Sequence, residues 1–466
     1  MSDVEIRTGS APAATAGAAN AASGAPIQSV GPAAPTGAAL ATDAAASATD
    51  GAQPAAGGLA APLRLRDFRL LFGGESISVL GDQFHFVALA WLALQLTGSG
   101  LALGTVLMTA GIPRAVFMLL GGALSDRFSP RNLMLTSNAI RGVVVGAFAV
   151  VVLSGNAELW HLYVVAAIFG VVDAFFYPAL NAALPMLVTP PLLPGANALL
   201  QGTQQLAGLI GPAIAGIVVA AVQTGPAFAI DAASFGVAAT ALFFIRGARR
   251  APASDATQAA SGGSLLGTIG DGLRYAWADP AIRTLIVLIA GFNLAFNGPI
   301  FVGLASLADG RFGGGSAAFG ILISAWGGGA LLGAVAAGSL GRVPHLGAIV
   351  LALAGVIGIG LGLIGIAPNV PVAFAILAVV GLGGGFVNVR VIAWLQARVP
   401  ETYIGRVMSL VMLASVGLAP LSLAASGALV DLGSVTLLFW IATAIILATV
   451  ALGFVWRLPA SMETQA

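Results

Sequence analysis

Ionisable side chains stand inside long apolar runs of this sequence: Glu75, Asp82 and His85 in one run, Arg114, Arg141 and Asp173 in those that follow, and Arg390 far downstream. Glu75 and Asp82 are seven residues apart and share a helical face, with His85 one turn beyond Asp82. At a rise of about 1.5 Å per residue, Asp82, Arg114 and Arg141 fall at similar depths, roughly 13–20 Å from the nearer helix ends. A carboxylate that alternates between a guanidinium partner and a solvated, protonatable state is what proton exchange requires. Asp82 is the first candidate for that role, followed by Glu75, Asp173 and His85. The plainer alternative is a static network, Asp82 with Arg114 and Glu75 with Arg141, that fixes helix packing. Between 284 and 456 the only acids are Asp309, Glu401 and Asp431, all near expected helix ends. Arg390, with Asn388 close by, is the deep charge of that part. It either meets an anionic group or a carboxylate across a cavity, or extends its stem to the interface.

The elements that must position these groups are membrane helices. The 466 residues are 58% hydrophobic and 8% charged, against about 25% charged in a soluble domain. Water could not solvate such a surface. Apolar runs near the roughly 20 residues that cross a bilayer recur with short gaps. They predict twelve spans near 71–96, 101–124, 132–154, 159–184, 198–222, 226–246, 284–308, 317–340, 346–367, 371–396, 405–430 and 434–456. Residues 1–62, rich in Ala, Gly and Pro, read as a disordered tail. Two six-helix bundles, 63–246 and 284–456, are then joined by a linker, 247–283, and followed by a tail, 457–466. Within the linker, Leu265, Ile269, Leu273 and Trp277 recur at helical spacing, which predicts an interfacial amphipathic helix over 264–278.

Arginine placement orients the spans. Arg64, Arg66, Arg69, Arg127, Arg131, Arg246, Arg249, Arg250, Arg274, Arg283, Arg342, Arg398, Arg406 and Arg457 fall on one side and Arg311 on the other, so both termini are expected in the cytoplasm. A weak internal match, Gly170–Ala198 with Gly381–Met408, suggests two related halves of the kind that place a substrate site between them.

Other classes of function are disfavoured. A net charge of +1 gives no basis for nucleic-acid binding, and with no cysteine and three scattered histidines no metal site is expected. No phosphate-binding loop and no nucleophile–base pair occurs, so neither ATP drive, an enzyme nor a cofactor is expected.

The loop after the second expected span, GALSDRFSPRN, resembles the signature loop of the major facilitator superfamily at Gly122, Leu124, Asp126, Arg127 and Arg131, with Ser129 and Pro130 departing from it. The fifth span contains QQLAGLIGPAIAG, similar to that superfamily's antiporter motif at Gly211, Pro212 and Gly216, with Ala207 and Ala215 where glycine is usual. The Ser78–Asp82 segment with AWLALQLTGSG after it, PALNAALPMLV and IDAASFGVAA resemble the branch that includes macrolide-efflux and enterobactin-export proteins. The resemblance covers about 65–460. It implies an all-α membrane fold of twelve helices in two six-helix pseudo-repeats, proton-driven efflux by alternating access, and a cytoplasmic gate at Gly122, Asp126, Arg127 and Arg131.

The expected function is therefore export of amphipathic small molecules, such as antibiotics, in exchange for protons, by a monomer in a bacterial inner membrane. Export of an endogenous metabolite such as a siderophore is the alternative, and a non-transporting receptor a third. Phe176, Tyr177, Phe292, Phe296, Asn297, Trp326 and Asn388 lie in spans expected to border the cavity, where flat rings suit apolar substrates.

Overall fold

A computed structural model describes residues 58–125, 129–247, 273–341 and 343–463. Its helices are α1 (Arg66–Thr97), α2 (Gly100–Ser125), α3 (Pro130–Leu153), α4 (Leu159–Leu187), α5 (Leu193–Val222), α6 (Thr224–Phe244), α7 (Pro280–Gly298), α8 (Leu304–Asp309), α9 (Gly315–Ser339), α10 (Leu346–Gly365), α11 (Val370–Arg398), α12 (Glu401–Val416), α13 (Ala419–Leu432), α14 (Val435–Val455) and α15 (Leu458–Glu463). No strand occurs among the described residues.

Local chemistry sets the boundaries. Gly98, at φ 62, takes the left-handed conformation that ends α1. Ser129, Asn369 and Ser434 cap α3, α11 and α14 by accepting from backbone N–H groups, and Asp279 caps α7 from Ala281 and Ile282. Eleven helical units among the described residues are long and apolar enough to cross a bilayer, and α2, of 26 residues, is the twelfth.

Two spans are composite. The seventh runs through a π-turn, Pro299–Gly303, into α8, and the eleventh breaks between α12 and α13, where Gly417 precedes Pro420. Periodicity cannot reveal such joints.

The packing repeats with a period of six spans. Spans 1·6, 2·4, 3·6, 1·5 and 3·4 pack together, and so do 7·12, 8·10, 9·12, 7·11 and 9·10. The two halves meet through α2 against α13 and α5 against α9, contacts that exchange under the same shift. Small residues make these contacts close. A Cβ at Gly104 would fall on the Leu423 carbonyl, one at Gly216 on that of Ser316, and one at Gly320 on that of Pro212.

Several expected boundaries move. Helix α1 begins at Arg66 rather than 71. Of the expected tail, 1–57 lies outside the described residues, but Ala61–Arg64 forms a 3-10 turn whose buried Pro62 packs beside Gly195. At the other terminus, α15 docks through buried Leu458 and Met462, four apart on one face, so the expected tail is partly helix. Of the expected linker helix, 264–272 lies outside the described residues and 273–278 is helical.

Candidate functional site

The deep charges of the first six spans converge. Asp173 on α4 is the hub: its carboxylate pairs with Arg141 of α3 and lies 3.9 Å from Arg114 of α2. Asp173, not Glu75 or Asp82, is therefore the direct partner of both arginines. Counting residues along a helix gives depth but not azimuth, which is why the alternative pairing of Asp82 with Arg114 and Glu75 with Arg141 is not the one formed. Glu75 is buried and Asp82 half-buried on α1, and both lie within electrostatic reach of Arg141.

Aromatic rings wall the guanidiniums. Arg141, 3% exposed, lies over Phe176 at 4.8 Å, Phe235 at 5.4 Å and Phe169 at 5.9 Å. Arg114, 42% exposed, lies over Tyr177 at 5.5 Å. Phe176 is thus a buried platform for Arg141 and not a cavity contact. The same core holds a carboxyl that the sequence reading passed over. Asp231 on α6 is fully buried, and His85 is drawn to it rather than to Asp82. A single acid in the middle of the apolar 21-residue helix α6 was the signal that could have found it.

The first six spans thus hold four deep carboxyls (Glu75, Asp82, Asp173, Asp231) against two deep guanidiniums (Arg114, Arg141). If all are ionised, two negative charges lack a fixed partner in a low-dielectric interior. Protons or a cationic ligand are the species that could balance them.

The second half presents rings. Phe292 stacks on Phe296 at 4.9 Å, Phe296 lies 5.8 Å from Trp326, and Phe301 of the π-turn meets Phe86 of α1 edge-on at 5.3 Å, joining the halves. Asn297 donates to the Asn293 carbonyl at 2.9 Å, and Asn388 is exposed on α11. Arg390 donates to the carbonyl of Leu340, just past the end of α9, so it extends to a helix terminus and does not project to the carboxyl cluster.

Of the gate residues, Asp126 and Arg127 lie outside the described residues, and Gly122 falls in the last turns of α2. Arg131 donates to the carbonyls of Leu242 (2.9 Å) and Phe243 (2.6 Å), satisfying the end of α6 within its own half. Gly211 packs against Gln83, while Pro212 and Gly216 lie against α9, where the N–H of Ala213 donates to Ser324 Oγ at 2.9 Å.

At the opposite end the halves are bound by a contact of another kind. Asp431, at the end of α13, accepts from the N–H groups of Gly100 (2.7 Å) and Leu101 (3.1 Å) and from Ser99 Oγ (2.5 Å), so it caps α2 from the other half. The close approaches between the halves run from this end to about mid-helix, at Gly208 and Gly327.

Twelve spans in two packing repeats, joined at small-residue seams around a charged core, define a membrane transporter of the major facilitator fold. Within that class the sequence matches the transmembrane secretion effector family across residues 57–466, and the chain belongs to it. It is 26% identical over 381 residues to the multidrug efflux pump Tap of Mycolicibacterium fortuitum, covering 79% of this chain and 89% of that one. To Tap of Mycobacterium tuberculosis (strain H37Rv) it is 27% identical, covering 85% and 94%. The match to macrolide efflux protein A of Streptococcus pyogenes, 24% identical, spans 38% of this chain and 44% of that one. The fold is similar to an inward-facing bacterial homologue of the iron transporter ferroportin (TM-score 0.64, 18% identity, 84% and 98% covered) and to a peptide transporter (TM-score 0.66, 14% identity, 85% and 96% covered).

Proposed function

We propose that this protein exports amphipathic small molecules, drugs among them, from a bacterial cytoplasm in exchange for protons, by alternating access. The observation that carries the exchange is the excess of two deep carboxyls over guanidiniums in the first six spans, with Asp82 half-buried on α1 one turn before Phe86, whose ring meets Phe301 of the other half. The efflux direction and the drug-like cargo follow from likeness to Tap and to macrolide efflux protein A. Closure at the Asp431 end fits an inward-facing state whose arginine-rich side is cytoplasmic, with both termini there and the protein acting as a monomer.

Asp82 is the residue we assign to coupling. When it is protonated the cluster is less negative and the halves can re-pack; when it is ionised it can hold a cationic or hydrogen-bonding cargo. Inside-out vesicles loaded with a panel that includes a macrolide and a lipophilic cation test this. Accumulation should vanish when the pH gradient is collapsed. Asp82→Asn, which keeps shape but cannot carry a proton, should lose uphill transport and keep downhill movement. Accumulation that survives both treatments would end the antiport reading. The metabolite alternative, in which Arg114, Arg141 and Arg390 face anionic groups, loses Arg390 to its bond with Leu340 and keeps the part-exposed Arg114.

A further inference from the structure

His85 sits one turn beyond Asp82 on α1, with its ring in the seam of α1, α4 and α6. Nδ1 is 3.2 Å from Oδ2 of Asp231, and the two side chains are 8% and 0% exposed. The imidazole lies flat on Phe169, centroids 4.1 Å apart and planes at 9°, and meets Phe228 edge-on at 5.7 Å. The pair is within ion-pair range, at a separation over which an imidazole N–H can share its proton with the carboxylate. Ser234 on α6 donates to the backbone carbonyl of Asp231 at 2.7 Å and lies beside its carboxyl.

A buried carboxyl and imidazole facing each other are neutral together only when they hold one proton, either as carboxylate and imidazolium or as acid and neutral ring. Removing it leaves a bare carboxylate among Phe169, Phe228 and Phe235; adding a second leaves a bare imidazolium there. Both are costly. For packing alone, an apolar pair of the same volume would serve as well or better.

We propose that His85 and Asp231 form a second proton-binding site, which holds one proton between them and exchanges it by way of Asp82, one helical turn away. This rests on the antiport reading above and deepens it. Of the charged groups inside the first six spans, Arg141 on α3 and Asp82 on α1 act directly on Asp231; the others are Glu75 on α1, Arg114 on α2, and Asp173 and Tyr177 on α4, and α5 contributes none. Four carboxyls less two guanidiniums leave two charges to balance. One proton at Asp82 or Glu75 and one at His85–Asp231 balance both, which makes the cycle a two-proton exchange.

The sequence has three histidines, His85, His161 and His345, so protein labelled with ¹⁵N-histidine gives three side-chain environments. The one absent from His85→Asn belongs to His85. In purified wild-type protein the proton at the His85 ring should exchange with solvent, and Asp231→Asn, which takes away the facing carboxylate, should change the ring's ¹⁵N shifts. Asp82→Asn should slow exchange at the ring by about tenfold. Should Asp231→Asn not fold, the wild-type exchange and Asp82→Asn still decide the matter. A His85 ring proton that does not exchange, or exchange that Asp82→Asn leaves unaltered, makes the pair a static packing element and overturns the proposal. Exchange at His85 that depends on Asp82, in a protein whose vesicle transport ignores the pH gradient, supports the site and sinks the antiport reading instead.

Discussion

Among the described residues, the interior of α1–α6 buries Glu75, His85, Arg131, Asn138, Arg141 and Asp231, whereas the polar side chains buried in α7–α14 are serines and threonines: Thr284, Ser316, Ser324, Ser422, Ser426 and Thr443. Yet the two sets of helices pack in the same order. A common backbone arrangement therefore does not need the charges, because the later half attains it with hydroxyls that bond to neighbouring carbonyls, as Thr443 does to Gly358 at 2.8 Å. The buried charges are an addition to one half. Groups that are expensive in a bilayer and unnecessary to the fold are where function should be sought.

The sharpest way to break this comparison is Arg141→Leu. It strands Asp173, with Glu75 and Asp82 nearby, without their buried counter-ion. We expect a loss of about 3–5 kcal/mol, read as a collapse of monodisperse protein in detergent; full yield and an unchanged melting temperature would mean that the charges are not interdependent. Asp431→Asn probes the seam instead. Removing a charge from the start of α2 should weaken closure at that end by roughly 0.3–2 kcal/mol. Because the sequence has no cysteine, paired spin labels on introduced cysteines can be placed without background, and the distance distribution across that end should broaden towards longer values. An unchanged distribution would show that the glycine contacts alone hold it shut.

The later half keeps its acids at the edges, and there the effects should be smaller. Asp279 is partly buried, which by itself would raise its pKa, but Arg398 at 2.8 Å and the N–H groups of Ala281 and Ile282 outweigh this and hold it below the ordinary value. A carboxyl depressed by folding stabilises above its unfolded pKa, about 3.9, and that contribution is lost as pH falls through the lower folded value. Asp279→Ala should cost about 1 kcal/mol at neutral pH and progressively less in acid, which thermal melts across pH would reveal. Smallest of all, Thr443→Val should cost about 0.6 kcal/mol. A loss as large as that of Arg141→Leu would contradict the division between the halves.

Hydropathy made the spans legible, because twelve apolar runs admit few arrangements once arginine-bearing loops orient them. The composition of the site was partly legible too: Glu75, Asp82, Arg114, Arg141 and Asp173 were visible as charges out of place. Their pairing was not. Whether Asp173 or Asp82 meets Arg141 depends on helix rotation, which a pattern of small and apolar residues on every face does not determine. Asp231 was hidden in IDAASFGVAA, a stretch read for its resemblance and not for its charge. Asp431 looked like an ordinary helix-end acid, since its partners lie 330 to 332 residues away in sequence.

The buried charges of the first half also constrain how the chain is made. Helix α1 carries Glu75, Asp82 and His85, while the groups that pair with or neutralise them, Arg141 on α3 and Asp231 on α6, are synthesised later. Helix α1 combines the lowest apolar character with the highest burial: its window is the least hydropathic of the eleven spans and the most enclosed by protein. A helix of that kind partitions weakly into lipid by itself. It should dwell beside the insertion machinery until α3 emerges, so that the first six spans enter the bilayer as a partly assembled group, whereas the more apolar α10 and α14 can leave one at a time.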